Sequence, residues 1–316
     1  MAKTKPTSEE IRGWFTSLSN WGRWGKEDQM GTLNLITPEK RMGAFGLVKK
    51  GRSVTLSRPI VAENSVDARV PPQQYTIESG EGWESTPEKM ETTNRSASEY
   101  IGMVPHGFVI THVDSLSHIF LGGQMYNGWP AHKVLTRGGA TVESIDLLKD
   151  GVITRGVLLD MPTLKGVDYM QPGEALYPED LEAAEQRFNV KVQSGDALFI
   201  RTGNWERRNA LGPENPHEVG SAGMQAACLP WIKSKDIALL GGDMASNVIP
   251  SGYEDIPMPI HQVMVPVMGC WLIDNCNFEG LAAMCKEEGR YEFLAIITPL
   301  RLATATGAPA NPIAVF

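Results

Sequence analysis

The sequence predicts an α/β protein: a single domain on a mixed or antiparallel sheet, with a helical extension at its N-terminus. Three observations carry that expectation. Apolar runs of strand length recur from residue 101 onward, at 106–114, 154–160, 196–201, 237–241 and 292–299. Helix-start signals punctuate the long connections between them, the pattern of a mixed α/β domain. No internal repeat or low-complexity linker divides the 316 residues, and a 42% hydrophobic share is enough for a substantial core. The boundary is placed so that residues 1–52 form the extension and 53–316 the main domain.

Taken in order, Thr7-Ser8-Glu9-Glu10 reads as a capping box, with Thr7 as N-cap and Glu10 reaching back. The helix it opens carries Ile11, Trp14, Phe15 and Leu18 on one side. Asn20-Trp21-Gly22-Arg23-Trp24-Gly25 is too glycine-rich for a helix and reads as an ordered aromatic loop. A second helix starts at Thr37-Pro38-Glu39, with proline at the first helical position, and is expected to end near Gly51. Residues 53–62 alternate like a strand. Residues 63–100 are polar and read as a long surface excursion, a lid or an oligomer arm. Further helices are expected from Tyr177-Pro178-Glu179-Asp180 to about Phe188, over 221–234 despite Pro230, and over Leu281–Lys286.

A net charge of -8 argues against phosphate-backbone ligands, so nucleic acid is not expected as a partner. No run of about 18 apolar residues is present, so no membrane span is expected. The polar opening lacks the apolar core of a signal peptide. None of the four cysteines, Cys228, Cys270, Cys276 and Cys285, forms a CxxC pair. They read as small buried hydrophobes in a reducing cytoplasm.

Chemistry concentrates in one stretch. Three of the six histidines, His106, His112 and His118, fall within thirteen residues, with Asp114 among them. On a strand over this stretch, period-two alternation puts His106, Phe108, Ile110, His112 and Asp114 on one face. His112 and Asp114 then project side by side, a donor pair suited to zinc, manganese or iron(II). A chain turn after Asp114 brings His118 to the same pocket. A cation with open positions acidifies water, and His118 can move protons, which equips the site to open an amide, lactam, ester or lactone. Other polar candidates have two readings each. Tyr126 and Asn127 bind substrate or form a plain turn. Arg201 pairs with a substrate carboxylate or ties down backbone. Trp21 and Trp24 stack on an aromatic substrate or fill the protein's own core. Asp243 reads as a cap, His132 and His217 as surface residues, and Met258–Met268 as core.

The run Thr111–His118, T-H-V-D-S-L-S-H, resembles the signature H-x-G-T-H-x-D-x-P-x-H of the cyclase-like metal-dependent hydrolases, the family of kynurenine formamidase and isatin hydrolase. It matches at Thr111, His112, Asp114 and His118. Further landmarks of the larger members stand in order: Asn20–Gly25, Gly31-Thr32-Leu33-Asn34, Tyr126-Asn127-Gly128, Gly195-Asp196, Arg201-Thr202-Gly203 and Asn311-Pro312-Ile313-Ala314. The resemblance implies a swivelling β/β/α fold and a homodimer or homotetramer acting on a small molecule. It also implies that His112 and Asp114 are metal ligands and His118 the acid/base group. His261 matches a later ligand histidine, and Asp274 falls where the family has glutamate. Three departures stand out. Phe108 occupies the place of the first motif histidine and becomes a candidate substrate contact, while His106, two residues earlier, becomes its substitute as ligand or hydrogen-bonds in the pocket. Ile110 and Leu116 replace the motif glycine and proline. Asp274 is one methylene shorter than glutamate. One zinc or manganese ion is therefore expected, with a second site left open. A ligand-binding protein without activity, and a metal-dependent lyase or cyclase, are the competing expectations.

Overall fold

The structure, a computed structural model, describes residues 3–81 and 96–316. Its centre is a nine-stranded mixed sheet. In chain order the strands are β1 (Ser53–Thr55), β2 (His112–Asp114), β3 (Val152–Asp160), β4 (Ala197–Arg201), β5 (Leu239–Gly242), β6 (Trp271–Asp274), β7 (Glu292–Ile297), β8 (Gly307–Pro309) and β9 (Ile313–Val315). Across the sheet they run β1-β9-β7-β3-β4-β5-β6-β2-β8. The middle four, β3 to β6, are parallel; every other pairing is antiparallel. Parallel strands must be covered on both faces, and their residues show it: β4, β5 and β6 are buried throughout.

Four of the five strands expected from apolar runs form within a few residues of their predicted bounds. The fifth is corrected. Of residues 106–114 only His112–Asp114 are strand. The preceding carbonyls are taken by side chains instead of a ladder: Asn275 Nδ2 donates to Gly107 (2.7 Å) and Ile110 (3.0 Å), and the Arg58 guanidinium donates to Phe108 (2.9 Å). Gly107 also has a φ of 154°, which breaks the extended run.

Helix α1 (Ser8–Ser17) begins at the expected box: Glu10 N–H donates to Thr7 Oγ1 (3.2 Å), and Thr7 N–H donates to Glu10 Oε2 (2.7 Å). It buries Ile11 and is followed by Leu18, both part of the main core. Helix α2 (Pro38–Phe45) starts as expected but stops at Gly46, short of Gly51. The helix expected over 221–234 starts only at Cys228 and runs to Lys235. A Cβ on Gly223 would meet the Asn247 backbone at 2.4 Å, so this segment is held extended there and pairs with Ala175–Leu176. Pro230 lies in the first turn, where its missing N–H is harmless. A further helix, Asn204–Leu211, follows β4. Buried Asp243 nucleates it, accepting from the N–H groups of Thr202 (2.8 Å), Gly203 (2.7 Å) and Asn204 (3.1 Å).

Close backbone contact ties the N-terminal segment to the sheet. Gly31 (φ 56°) lies against Gly269, where a Cβ would sit 1.9 Å from the carbonyl oxygen, and Thr32 N–H donates to that oxygen (2.8 Å). Of the 63–100 excursion, Gln73–Glu78 forms an antiparallel pair with Ser98–Gly102, and residues 82–95 lie outside the described residues. Tyr75 stacks on Tyr100 at 4.9 Å. Among the described residues no helix is long and apolar enough to cross a membrane.

Candidate metal centre

Strand β2 sits between β6 and β8, with His112 opposite Asp274 and Asp114 opposite Gly307. Alternation puts His112 and Asp114 on the same face, and the register with β6 sets Asp274 beside them. Behind the strand, Thr111 Oγ1 accepts from Arg58 N–H (2.9 Å) and donates to the Asn275 carbonyl (2.7 Å), which locks the register.

Asp114 is the hub. Its Oδ1 lies 2.9 Å from His106 Nδ1, 3.2 Å from His112 Nε2 and 4.0 Å from His118 Nε2. Its Oδ2 lies 3.6 Å from His261 Nε2, which is 3.1 Å from Asp274 Oδ2. Two groups result, His106/His112/Asp114 and Asp114/His261/Asp274, each with its ligand atoms within 4.8 Å of one another. Asp114 Oδ2 and Asp274 Oδ1 are buried and have no hydrogen-bond partner. Imidazole and carboxylate donors with orphaned buried oxygens fit a divalent cation.

The charges fit as well. Burial pushes the Asp114 carboxyl up, but His118, His106 and His112 outweigh it and hold it well below the usual range. Burial pushes His112 down, and Asp114 reverses this to a net upward shift. Burial likewise opposes His261, yet Asp274 and Asp114 draw it up to about 10. His118 goes the other way: burial, helped by the neighbouring histidines, depresses it to about 4 against the pull of Asp114. Its ring stacks on His106 at 3.8 Å, nearly parallel. The cluster opens onto a cavity of about 400 Å³ whose walls include Phe108, Ile119, Met258, His217 and Arg69.

The Cyclase family model matches residues 53–247. The chain belongs to the cyclase family. A crystal structure described as a novel cyclase is 32% identical, covers 94% of this chain and 99% of its own, and superposes with a TM-score of 0.85. Isatin hydrolase A from Labrenzia aggregata, bound to benzyl benzoate, shares the fold at 17% identity, with 86% and 94% of the chains covered and a TM-score of 0.58. Isatin hydrolase A from Ralstonia solanacearum does so at 16% identity, 84% and 92% covered, TM-score 0.59. No curated protein sequence matches the chain.

In this cyclase-family protein the structure gathers His106, Phe108, His112, Asp114, His118, His261 and Asp274 around one cavity. His106 arrives by the loop folding back and not by strand alternation. The five remaining candidates, Tyr126, Asn127, Trp21, Trp24 and Arg201, do not line this cavity and make structural contacts instead. Tyr126 is buried, with its OH on Asp28 Oδ2 (3.1 Å). Asn127 Nδ2 donates to the carbonyls of Gly25, Lys26 and Asp28, and its Oδ1 accepts from Gly22 N–H. Both clamp the N-terminal loop. Trp21 Nε1 donates to the Pro266 carbonyl (2.7 Å), and Trp24 lies under the Arg23 guanidinium at 4.6 Å. Arg201 is spent on Asp160 (2.8 Å) and Glu279.

Sequence reasoning missed other residues. His217, read as surface, is exposed but turns its ring edge to Phe108 at 5.1 Å on the cavity wall. Asn247 and Thr306, which hold His261 and His106, carry no local signal. The expectation for Asp243 as a cap and for the cysteines as buried thiols agrees with the geometry.

Proposed function

We propose that this cyclase-family protein is a metal-dependent hydrolase that opens an amide or cyclic-amide bond, with an ester or lactone as the nearest variant. The observation that carries this reading is the His106/His112/Asp114 group beside His118, lining a cavity large enough for a small organic substrate. The fold shared with isatin hydrolases supports it.

His106, His112 and Asp114 would hold the ion, zinc or manganese. When bound, it supplies the positive charge that acidifies water and polarises a carbonyl. The remaining work belongs to the chain. His118, depressed to about 4, is neutral at pH 7, so it can take a proton from attacking water and return it to the leaving nitrogen. Stacking on His106 fixes its ring plane. Phe108, Ile119 and Met258 exclude bulk water and contact the apolar part of the substrate. A homodimer or homotetramer is part of the proposal, supported by the exposed Tyr75, Ile77, Tyr100 and Ile101 on the antiparallel pair Gln73–Glu78 and Ser98–Gly102. So is a reducing cytoplasm, supported by four buried free cysteines.

The test is turnover of N-formyl amides, lactams and lactones by zinc- or manganese-loaded protein, read by product mass. A ring-opened product heavier by one water, or two products from an N-formyl amide whose masses sum to substrate plus water, identifies hydrolysis. A product of unchanged mass replaces it with a cyclase or isomerase reaction, and the absence of turnover across all three classes sinks it.

A further inference from the structure

The two metal-capable groups around Asp114 are not equivalent, and the difference lies behind the histidines. A histidine that binds a cation through one ring nitrogen carries its proton on the other, and that proton needs an acceptor. His112 has one: its Nδ1 lies 2.8 Å from the Ile110 carbonyl, which can only accept. Nδ1 therefore holds the proton and the Nε2 lone pair faces Asp114. His106 is adaptable: its Nε2 lies 3.1 Å from Thr306 Oγ1, a hydroxyl that can accept or donate, so the ring can carry its proton on Nε2 and turn the Nδ1 lone pair, now 2.9 Å from Asp114 Oδ1, towards a cation.

His261 faces the opposite arrangement. Its Nδ1 lies 2.6 Å from Asn247 Nδ2. The Asn247 amide has no freedom to turn over. Its Oδ1 accepts from Ile260 N–H (2.8 Å), and its Nδ2 donates to the Ala245 carbonyl (2.8 Å). Those backbone groups have fixed roles, so a flipped amide would set donor against donor and acceptor against acceptor. The second Nδ2 hydrogen thus points at His261 Nδ1, which must accept it, and the ring proton sits on Nε2. That proton is 3.1 Å from Asp274 Oδ2. The carboxylates also favour a further proton on His261, but it would have to sit on Nδ1 against the amide hydrogen, and the geometry prevails.

We propose that Asn247 makes His261 a hydrogen-bond donor at Nε2, so that the Asp114/His261/Asp274 group takes no metal ion and instead holds Asp274 as a proton acceptor beside a single metal at His106, His112 and Asp114. The proposal rests on the metal-dependent reading above. It gives the orphaned Asp274 Oδ1 a use: held from one side by His261, it is left to accept from water or from a substrate N–H on the cavity wall. Asn247 is a positioning residue in this scheme, and His261 an orienting donor.

The experiment labels the histidines with nitrogen-15 and reads the tautomer of His261 from long-range proton–nitrogen correlations, in chelator-stripped and in zinc-loaded protein. His261→Gln identifies its signals. The expected result is the Nε2–H pattern in both states, with zinc saturating near one equivalent per chain. Asn247→Asp offers an acceptor to Nδ1, so it is expected to move the proton to Nδ1 and raise zinc uptake towards two equivalents. An Nδ1–H pattern in the native protein overturns the proposal. So does native uptake of two equivalents with the second lost in His261→Gln. Protein that takes up no zinc at all refutes the hydrolase reading, while the tautomer still decides the role of Asn247.

Discussion

Glu143 offers a pH test of the fold. Its side chain is fully buried, neither carboxyl oxygen has a hydrogen-bond partner, and its backbone N–H is held by Gln29 Oε1. Burial, with Asp28 nearby, pushes its pKa from 4.5 up to about 9. The native protein therefore keeps Glu143 protonated at pH 7, whereas the unfolded chain releases the proton. A carboxyl with a raised pKa contributes most stability below its unfolded value and loses it as pH rises through the folded one. At about 1.4 kcal/mol per unit, the loss is about 3 kcal/mol from pH 4.5 to 7 and at most about 6 by pH 9. Glu143→Gln keeps the shape and removes the ionisation. Urea unfolding of both proteins at pH 5, 7 and 9 is the assay. The variant is expected to gain on the native protein steadily as pH rises, by several kcal/mol across the range. A difference that stays constant with pH would refute the assignment of a neutral buried carboxyl.

Two further outcomes follow from the site and its supports. His118→Ala is expected to lower kcat by about 10²- to 10⁴-fold while metal content stays unchanged, because the side chain moves protons without belonging to the ligand group; loss of metal would reassign it as a ligand. Arg201→Met leaves buried Asp160 without its 2.8 Å partner, so urea unfolding should show a loss of about 3–5 kcal/mol with metal content retained. A loss below about 1 kcal/mol would show the ion pair to be structurally idle.

The local parts of this fold and site were legible in the sequence. Thr7 and Glu10 cap a helix through atoms three residues apart, and His112 and Asp114 share a face because strand alternation is a two-residue rule. What lay beyond reach depends on partners distant in sequence. Residues 106–111 have the apolar pattern of a strand, yet Arg58 and Asn275 take their carbonyls, and the loop that results carries His106 back to Asp114. Tyr126 and Asn127 have the chemistry of substrate contacts, but a loop 100 residues earlier uses their hydrogen bonds. His217 does sit in a Pro- and Gly-rich surface segment, as read; that surface happens to be the mouth of the cavity. Asn247 follows Ser246 in a short loop with no motif of its own, and only its position behind His261 gives it meaning.

Metal content tests the central claim most directly. Native protein and His112→Ala, purified alike and supplied with zinc or manganese, are compared by elemental mass spectrometry. About one equivalent per chain in the native protein, lost in the variant, is the predicted result. A native protein that retains no metal after either ion is supplied would contradict the account.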